Sequence, residues 1–334
     1  MKKEINKIAI VRLSALGDIV NSAIVLQFIK EEFPEAQVDW ITEEVFAPIL
    51  KDHPLLSNLH TVNLKKLKKN RKFSDLKATI SKLKSLDKYD IVIDMQGLIK
   101  SAIVSKIISK SSHGFDKNST RETLASLFYS STSTIPYESN VVVRNTFVVA
   151  DALNFKITDK MILNKEAIFP ITKNFELLKD KKNIAFVIGA SWPSKIYPKE
   201  KVAKICDELQ EQCYIIWGNE EEKQSAEWIC KNSKYASLAP KLSLDELVSF
   251  ISRMNLLIGN DTGPTHMAWA QNIPSITLLG PTTTRMIYET PKNIGIKSPS
   301  SVDILHINKD DFSIKDIPYQ DVIKKSKELL HNGI

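Results

Sequence analysis

Two short segments put carboxylates, cations and small residues at places where a parallel sheet would hold a ligand. The first is Ser14-Ala15-Leu16-Gly17-Asp18, directly after an apolar run. A nicotinamide-binding loop needs three glycines in the pattern G-x-G-x-x-G. This loop has one, so that cofactor is not expected. Asp18 is a candidate general base for a sugar hydroxyl that attacks an anomeric carbon. Aspartate is also a favoured helix cap, and the loop alone leaves both roles standing. Gly17 suits close approach of the backbone to a ligand, or a simple turn.

The second segment is Asp261-Thr262-Gly263-Pro264-Thr265-His266. Pro264 belongs in the first turn of a helix. The free backbone N–H groups of such a turn attract a diphosphate, and Thr262 and Gly263 leave them open. Asp261 is placed to accept hydrogen bonds from sugar hydroxyls. The plainer alternative is a helix cap over a buried His266. Lys195, in the loop after another apolar run, is a candidate for neutralising a departing diphosphate. Glu220, Glu221 and Glu222 follow Trp217-Gly218-Asn219. One carboxylate after such a strand commonly holds a ribose diol, and spacing does not say which. No Asp-x-Asp triplet and no metal-ligand spacing of His, Asp and Glu occurs, so no divalent metal is expected.

The elements that must position these residues alternate. Apolar strands are expected at 7–13, 38–42 and 90–97, with helices at 19–32, 73–88 and 98–110. The rhythm restarts at 183–189 and continues with strands at 213–218, 256–261 and 275–280. Helices are expected at 198–211, 220–231, 244–254 and 262–272. Ser243 and Glu246 read as a capping box. This is the pattern of α/β chains with parallel sheets covered on both faces. Two Rossmann-like halves are expected, 1–165 and 166–315. A last helix within 316–334 is free to pack on either, including back on the N-terminal half. In such folds ligands bind beyond the carboxyl ends of the strands.

With 334 residues, 43% hydrophobic and 25% charged, the chain has ordinary globular composition. No apolar run reaches the ~20 residues of a membrane helix, and the start is too short for a signal peptide. A cytoplasmic protein is therefore expected. Cys206, Cys213 and Cys230 lack zinc or C-x-x-C spacing and read as small buried hydrophobes. The net charge is +7, concentrated early. Residues 51–88 hold eleven basic and three acidic side chains, which calls for an anionic partner. Nucleic acid, an acidic membrane and a phosphorylated glycolipid all satisfy that charge.

Taken in order, VRLSALGDIV (11–20), DMQGLIKSA (94–102), HGFD (113–116), TRETLASLFY (120–129), SK (194–195), WGNEEE (217–222), SLDELV (243–248), NDTGPTHMAWA (260–270) and LLGPT (278–282) resemble the lipopolysaccharide heptosyltransferases of glycosyltransferase family 9. They are most similar to the members that add the first heptose. The resemblance covers nearly the whole chain.

The resemblance implies a GT-B fold, two doubly wound domains facing a cleft, with acceptor on the N-terminal domain and donor on the C-terminal one. It implies inverting, metal-independent transfer of heptose from ADP-L-glycero-D-manno-heptose to a Kdo hydroxyl of Kdo-lipid A, with no cofactor. The partners are then the donor, the lipid acceptor and the inner leaflet of the inner membrane, met peripherally, and not nucleic acid. By position, Asp18 is the base; Ser14, Gly17, Lys65, Lys66, Lys69 and Arg121 face the acceptor. Ser191, Lys195, Glu222, Asp261, Thr262, Gly263 and His266 face the donor. Ala15 stands where the family has a second serine, Ala190-Ser191 where it has two threonines, and lysines where arginines are common in the acceptor stretch. The alternatives are the transferase that adds the second heptose, a nucleotide-sugar isomerase on the same fold, and a non-catalytic binder of an anionic surface.

Overall fold

The computed structural model describes residues 5–331. The chain divides into two compact units, Met1–Ile168 and Phe169–Ile334, each built on one six-stranded parallel sheet. In the first unit the strands are β1 (Lys7–Val11), β2 (Gln37–Glu43), β3 (Asn58–Val62), β4 (Ile91–Asp94), β5 (Ser112–Phe115) and β6 (Ser131–Ser133), in the order β3-β2-β1-β4-β5-β6. In the second they are β7 (Asn183–Val187), β8 (Gln212–Ile216), β9 (Ala236–Leu238), β10 (Leu256–Asn260), β11 (Ser275–Leu279) and β12 (Asn293–Lys297), in the order β12-β11-β10-β7-β8-β9.

The two sheets are wound alike. Each runs outward through three strands, then returns to pair its fourth strand with its first. The winding therefore reverses between β1 and β4, and between β7 and β10. Those reversals open a crevice at the carboxyl edge of each sheet, where such folds take ligands. The central strands are covered on both faces. β1 (KIAIV) and β7 (NIAFV) are buried almost throughout, so their sequences do not alternate.

One sequence expectation changes. The helix expected at 19–32 is two, Leu16–Ser22 and Val25–Glu32, so it starts before Asp18 rather than after it. Glu246 reaches back to the Ser243 N–H at 3.1 Å, as the capping box requires, and the Ser243 hydroxyl also donates to Asp245 at 2.7 Å. The last helix, Tyr319–His331, belongs to the second unit. Its Val322, Tyr319 and Ile323 join the apolar core of the second unit, against the helix Lys199–Leu209. No helix among the described residues is long and apolar enough to cross a membrane.

Candidate active site

In the first unit Ser14, Asp18 and the start of the helix Ile99–Ile108 follow β1 and β4 at the carboxyl edge where the winding reverses. Asp18 lies in the first turn of Leu16–Ser22, where its Oδ2 accepts the Ala15 N–H at 3.2 Å. Its Oδ1 meets the guanidinium of Arg12 at 2.8 Å. Arg12 is itself nearly buried and donates to the Met95 carbonyl. A fixed cation and a backbone N–H thus set the orientation of Asp18, which caps its helix and still keeps 29% of its side chain exposed. A carboxylate has about four acceptor positions, so two partners leave room for a substrate hydroxyl.

Ser14 Oγ accepts from Gln96 Nε2 at 3.2 Å and from Lys100 Nζ at 3.0 Å. Gln96 returns its Oε1 to the Leu13 N–H at 2.9 Å. The loops after β1 and β4 are therefore stitched together beside Asp18. Below them, buried Asp94 accepts from Tyr129 Oη at 2.7 Å and from the N–H groups of Gln96 and Gly97. Burial pushes its carboxyl up against those bonds.

Burial also pushes the Glu43 carboxyl up, while the charges of Lys100 and Lys65 pull it down. Those two lysines therefore belong to one neighbourhood. Lys65, Lys66 and Lys69 are exposed on the helix Leu64–Asn70 after β3, and Arg121 is exposed in the loop after β5. All leave the same carboxyl edge as Asp18. β3 and β5 each lie two strands from β1, roughly 10 Å to either side. Arg12 and Lys100 were not singled out in the sequence. An arginine ending an apolar strand was the one signal available for the first.

In the second unit the loops after β7, β8, β10 and β11 meet. Asn260, the last residue of β10, accepts the Tyr197 N–H at 3.1 Å and donates to the Ile188 carbonyl at 2.9 Å. This clamps the 188–197 loop onto β10. Lys195 Nζ then lies 2.8 Å from Asp261 Oδ2, and His266 Nε2 lies 3.1 Å from Asp261 Oδ1. Lys195, Asp261 and His266 are all buried. Asp261 is 3% exposed, with one carboxylate oxygen on Lys195 and the other on His266. Lys195 is not a free cation, since one of its three donors is committed to Asp261. Burial pushes the Asp261 carboxyl up, but the His266 hydrogen bond and the Lys195 charge outweigh it and hold the group well below the usual carboxylate range.

Thr262 caps the helix Gly263–Ala270 with its backbone, and Gly263 opens the first turn. Glu222 bends back over the end of β8. Its Oε2 accepts the Gly218 N–H at 2.6 Å and its Oε1 accepts from Asn219 Nδ2 at 2.9 Å. It stands over Gly189, where any Cβ would collide with the carboxylate. Glu220 is instead exposed near Lys223. Of the three glutamates, Glu222 alone lines the cavity of about 350 Å³ whose walls include Trp217, Leu247, Thr262 and Pro264. Trp217 is fixed there by Nε1 donating to the Ala239 carbonyl at 2.9 Å. A flat base fits apolar walls of this kind, a diol fits Glu222, and a phosphate fits the helix start. Ser191, exposed, lines an adjoining cavity of about 610 Å³ that shares Glu222. A larger cavity of about 840 Å³, bordered by Lys182, Asn183, Glu211 and Asn255, sits at the amino ends of β7, β8 and β10, the wrong edge for these loops.

Three buried polar atoms on this edge, Trp192 Nε1, Ser194 Oγ and Thr282 Oγ1, have no hydrogen-bond partner among the described residues. Buried groups are normally paired, so these three atoms are free to bond a ligand that enters at this edge. Among the described residues no group of three or more His, Cys, Asp and Glu has the geometry to hold a metal ion.

The profile of glycosyltransferase family 9 (heptosyltransferase) matches residues 79–302. Lipopolysaccharide heptosyltransferase 1 of Campylobacter coli is 39% identical over 97% of this chain and 98% of its own length. The protein of the same name from Escherichia coli K12 is 26% identical over 90% of this chain and 96% of its own. Among solved structures, E. coli heptosyltransferase WaaC with ADP-2-deoxy-2-fluoro heptose superposes with a TM-score of 0.79 at 23% identity, covering 96% of this chain and 99% of that one. The fold is accordingly the α/β GT-B fold. With the profile spanning more than half of the chain and a relative so similar along nearly all of it, the protein belongs to glycosyltransferase family 9, the heptosyltransferases.

Proposed function

We propose that the protein adds the first heptose of the lipopolysaccharide inner core. It moves the sugar from ADP-L-glycero-D-manno-heptose to a Kdo hydroxyl of Kdo-lipid A, with inversion and without a metal, on the inner leaflet of the inner membrane. The observation that carries this reading is Asp18. It is a partly exposed carboxylate, oriented by Arg12 at 2.8 Å, in the crevice of a unit whose same edge carries Lys65, Lys66, Lys69, Lys100 and Arg121.

In the first unit, those cations draw the Kdo carboxylate and the phosphates of the acceptor. Asp18 accepts the proton of the attacking hydroxyl as it bonds to the anomeric carbon. In the second unit, the base lies against Trp217 and Leu247, and the ribose on Glu222. The diphosphate lies at the Thr262–Gly263 helix start, with Ser191, Ser194 and the remaining protons of Lys195 within its reach. Negative charge that develops on the leaving ADP meets backbone N–H groups fixed in place before the reaction begins. Attack and departure on opposite faces of the anomeric carbon invert its configuration.

Glu222→Gln raises the KM for donor on the order of tenfold, the worth of one charge-assisted hydrogen bond to a diol. Gly189→Ala has the same effect with an unchanged unfolding midpoint, because the added methyl displaces only the flexible end of Glu222. Donor titrations beside melting curves check both.

Replacing Lys65, Lys66 and Lys69 together by Ala raises the acceptor KM by tenfold or more at low salt, on the order expected for three phosphate-facing charges. It also flattens the salt dependence and leaves kcat at saturation nearly unchanged. The experiment that tests the reading as a whole compares initial rates on Kdo-lipid A and on its heptosylated form. Turnover of the first alone is expected. Preference for the second would reassign the protein to the next transfer.

A further inference from the structure

Five large apolar side chains stand in solvent on segments that leave the carboxyl edge of the first sheet. Val45 follows β2, Phe73 and Leu76 follow β3, and Leu124 and Leu127 follow β5. Single exposed apolar residues are ordinary, but four of these form ordered faces. In the helix Phe73–Lys84, residues Phe73, Leu76, Ile80 and Leu83 fall on one stripe. Leu83 is buried in the core, Ile80 is half-buried, and the stripe then runs out of the fold, ending at Phe73 with 78% exposure. In the short 3₁₀ helix Thr123–Phe128, three residues per turn place Leu124 and Leu127 on one face. Ala125 and Phe128 pack toward the helix Ile99–Ile108, which turns both leucines outward and leaves Leu127 77% exposed.

The charge around the first face is almost all positive. Between Leu64 and Leu76 stand Lys65, Lys66, Lys68, Lys69, Arg71 and Lys72, against Asp75 alone. Cations surrounding protruding apolar tips match a surface that is anionic outside and hydrocarbon beneath. A soluble phosphorylated sugar would use the cations and leave Phe73 and Leu127 without purpose.

We propose that this edge of the first unit docks on an anionic lipid bilayer. Phe73 and Leu127 enter the boundary between headgroups and acyl chains, and Lys68, Arg71 and Lys72 lie against the headgroups. The proposal rests on the reading above, in which the acceptor is carried by a lipid. Asp18 opens on the same edge, so an acceptor sugar can reach it while its acyl chains stay in the bilayer.

The test is co-sedimentation of the full chain with phosphatidylcholine vesicles, with and without phosphatidylglycerol, free of any acceptor. Wild type is expected to bind the anionic vesicles and not the neutral ones. Phe73→Ser with Leu127→Ser, and separately Lys68→Glu with Lys72→Glu, are each expected to weaken binding on the order of tenfold or more, the factor for one large apolar side chain or two cations. Unfolding midpoints and turnover of a deacylated acceptor should stay at wild-type values. Wild type that remains in the supernatant overturns the proposal. So does a Phe73→Ser/Leu127→Ser variant that binds as wild type does. Vesicle binding as expected, with no turnover of any acceptor by wild type, supports the docking surface and sinks the transfer reading instead.

Discussion

Asp18→Asn lowers kcat by about 10²–10⁴, the range lost when a positioned base is removed, and leaves the fold in place. Asparagine has nearly the same shape. Its carbonyl oxygen can still accept the Ala15 N–H that Asp18 holds at 3.2 Å. What it cannot do is take a proton, or return a full charge to Arg12. A residue that only capped its helix would change the unfolding midpoint more than the rate. The prediction is checked by steady-state rates beside a melting curve. A variant with near-normal turnover would remove Asp18 from the chemistry.

Lys195→Met has the largest expected effect on the second unit. It strands Asp261, a buried carboxylate that now shares Lys195 at 2.8 Å and His266 at 3.1 Å. Removing the charged partner of a buried carboxylate costs about 3–5 kcal/mol, and here His266 is the side chain left to hold Asp261. Lys195→Met with Asp261→Leu removes both charges. It should recover much of the stability while donor turnover stays low, which separates the fold from the function.

The same pair governs behaviour in acid. The Asp261 carboxyl titrates below its ordinary value of 3.8 in the folded chain. The unfolded chain therefore binds the proton first as pH falls. The stability contributed by Asp261 is full above that ordinary value and is lost as pH drops through the depressed one. Asp261→Asn should thus flatten the acid limb of the stability curve below about pH 4. Melting curves across that range would show it, and an unchanged limb would contradict the pairing.

Much of the architecture is legible in residue order. β1, β4, β7 and β10 each hold a short apolar run, IAIV, IVI, IAFV and LLIG, as strands buried on both faces do. The outer strands escape that signal. β5 is Ser112-His113-Gly114-Phe115, and its buried histidine is satisfied by Ser131 and Ser133 of β6 at 2.8 and 2.7 Å. A pairing across eighteen residues does not read as strand propensity. The helix Val141–Leu153 is rich in β-branched residues, which favour strands in isolation. Packing on the helix Leu16–Ser22 and the Asn140 cap decide otherwise.

The candidate site divides in the same way. Asp18, Thr262 and the glutamate cluster are visible because each follows an apolar run. Spacing leaves Glu222 unresolved among three neighbours, and the resemblance names it; the room for its carboxylate over Gly189 exists only in the folded loop. Lys195 and Asp261 lie 66 residues apart, so their mutual neutralisation could not be read from spacing. The Arg12 contact with Asp18 is hidden for a simpler reason. A charged residue after KIAIV looks like the end of a strand rather than the support of a base.

The central claim is acceptor-dependent transfer that uses Asp18 and needs no divalent cation. It is tested most directly by ADP release from purified protein given ADP-heptose and Kdo-lipid A in EDTA, wild type beside Asp18→Asn. The account predicts release by wild type only when acceptor is present, at a rate EDTA does not change, and a loss of about 10²–10⁴ in the variant. Release without acceptor, or release abolished by EDTA, would contradict it.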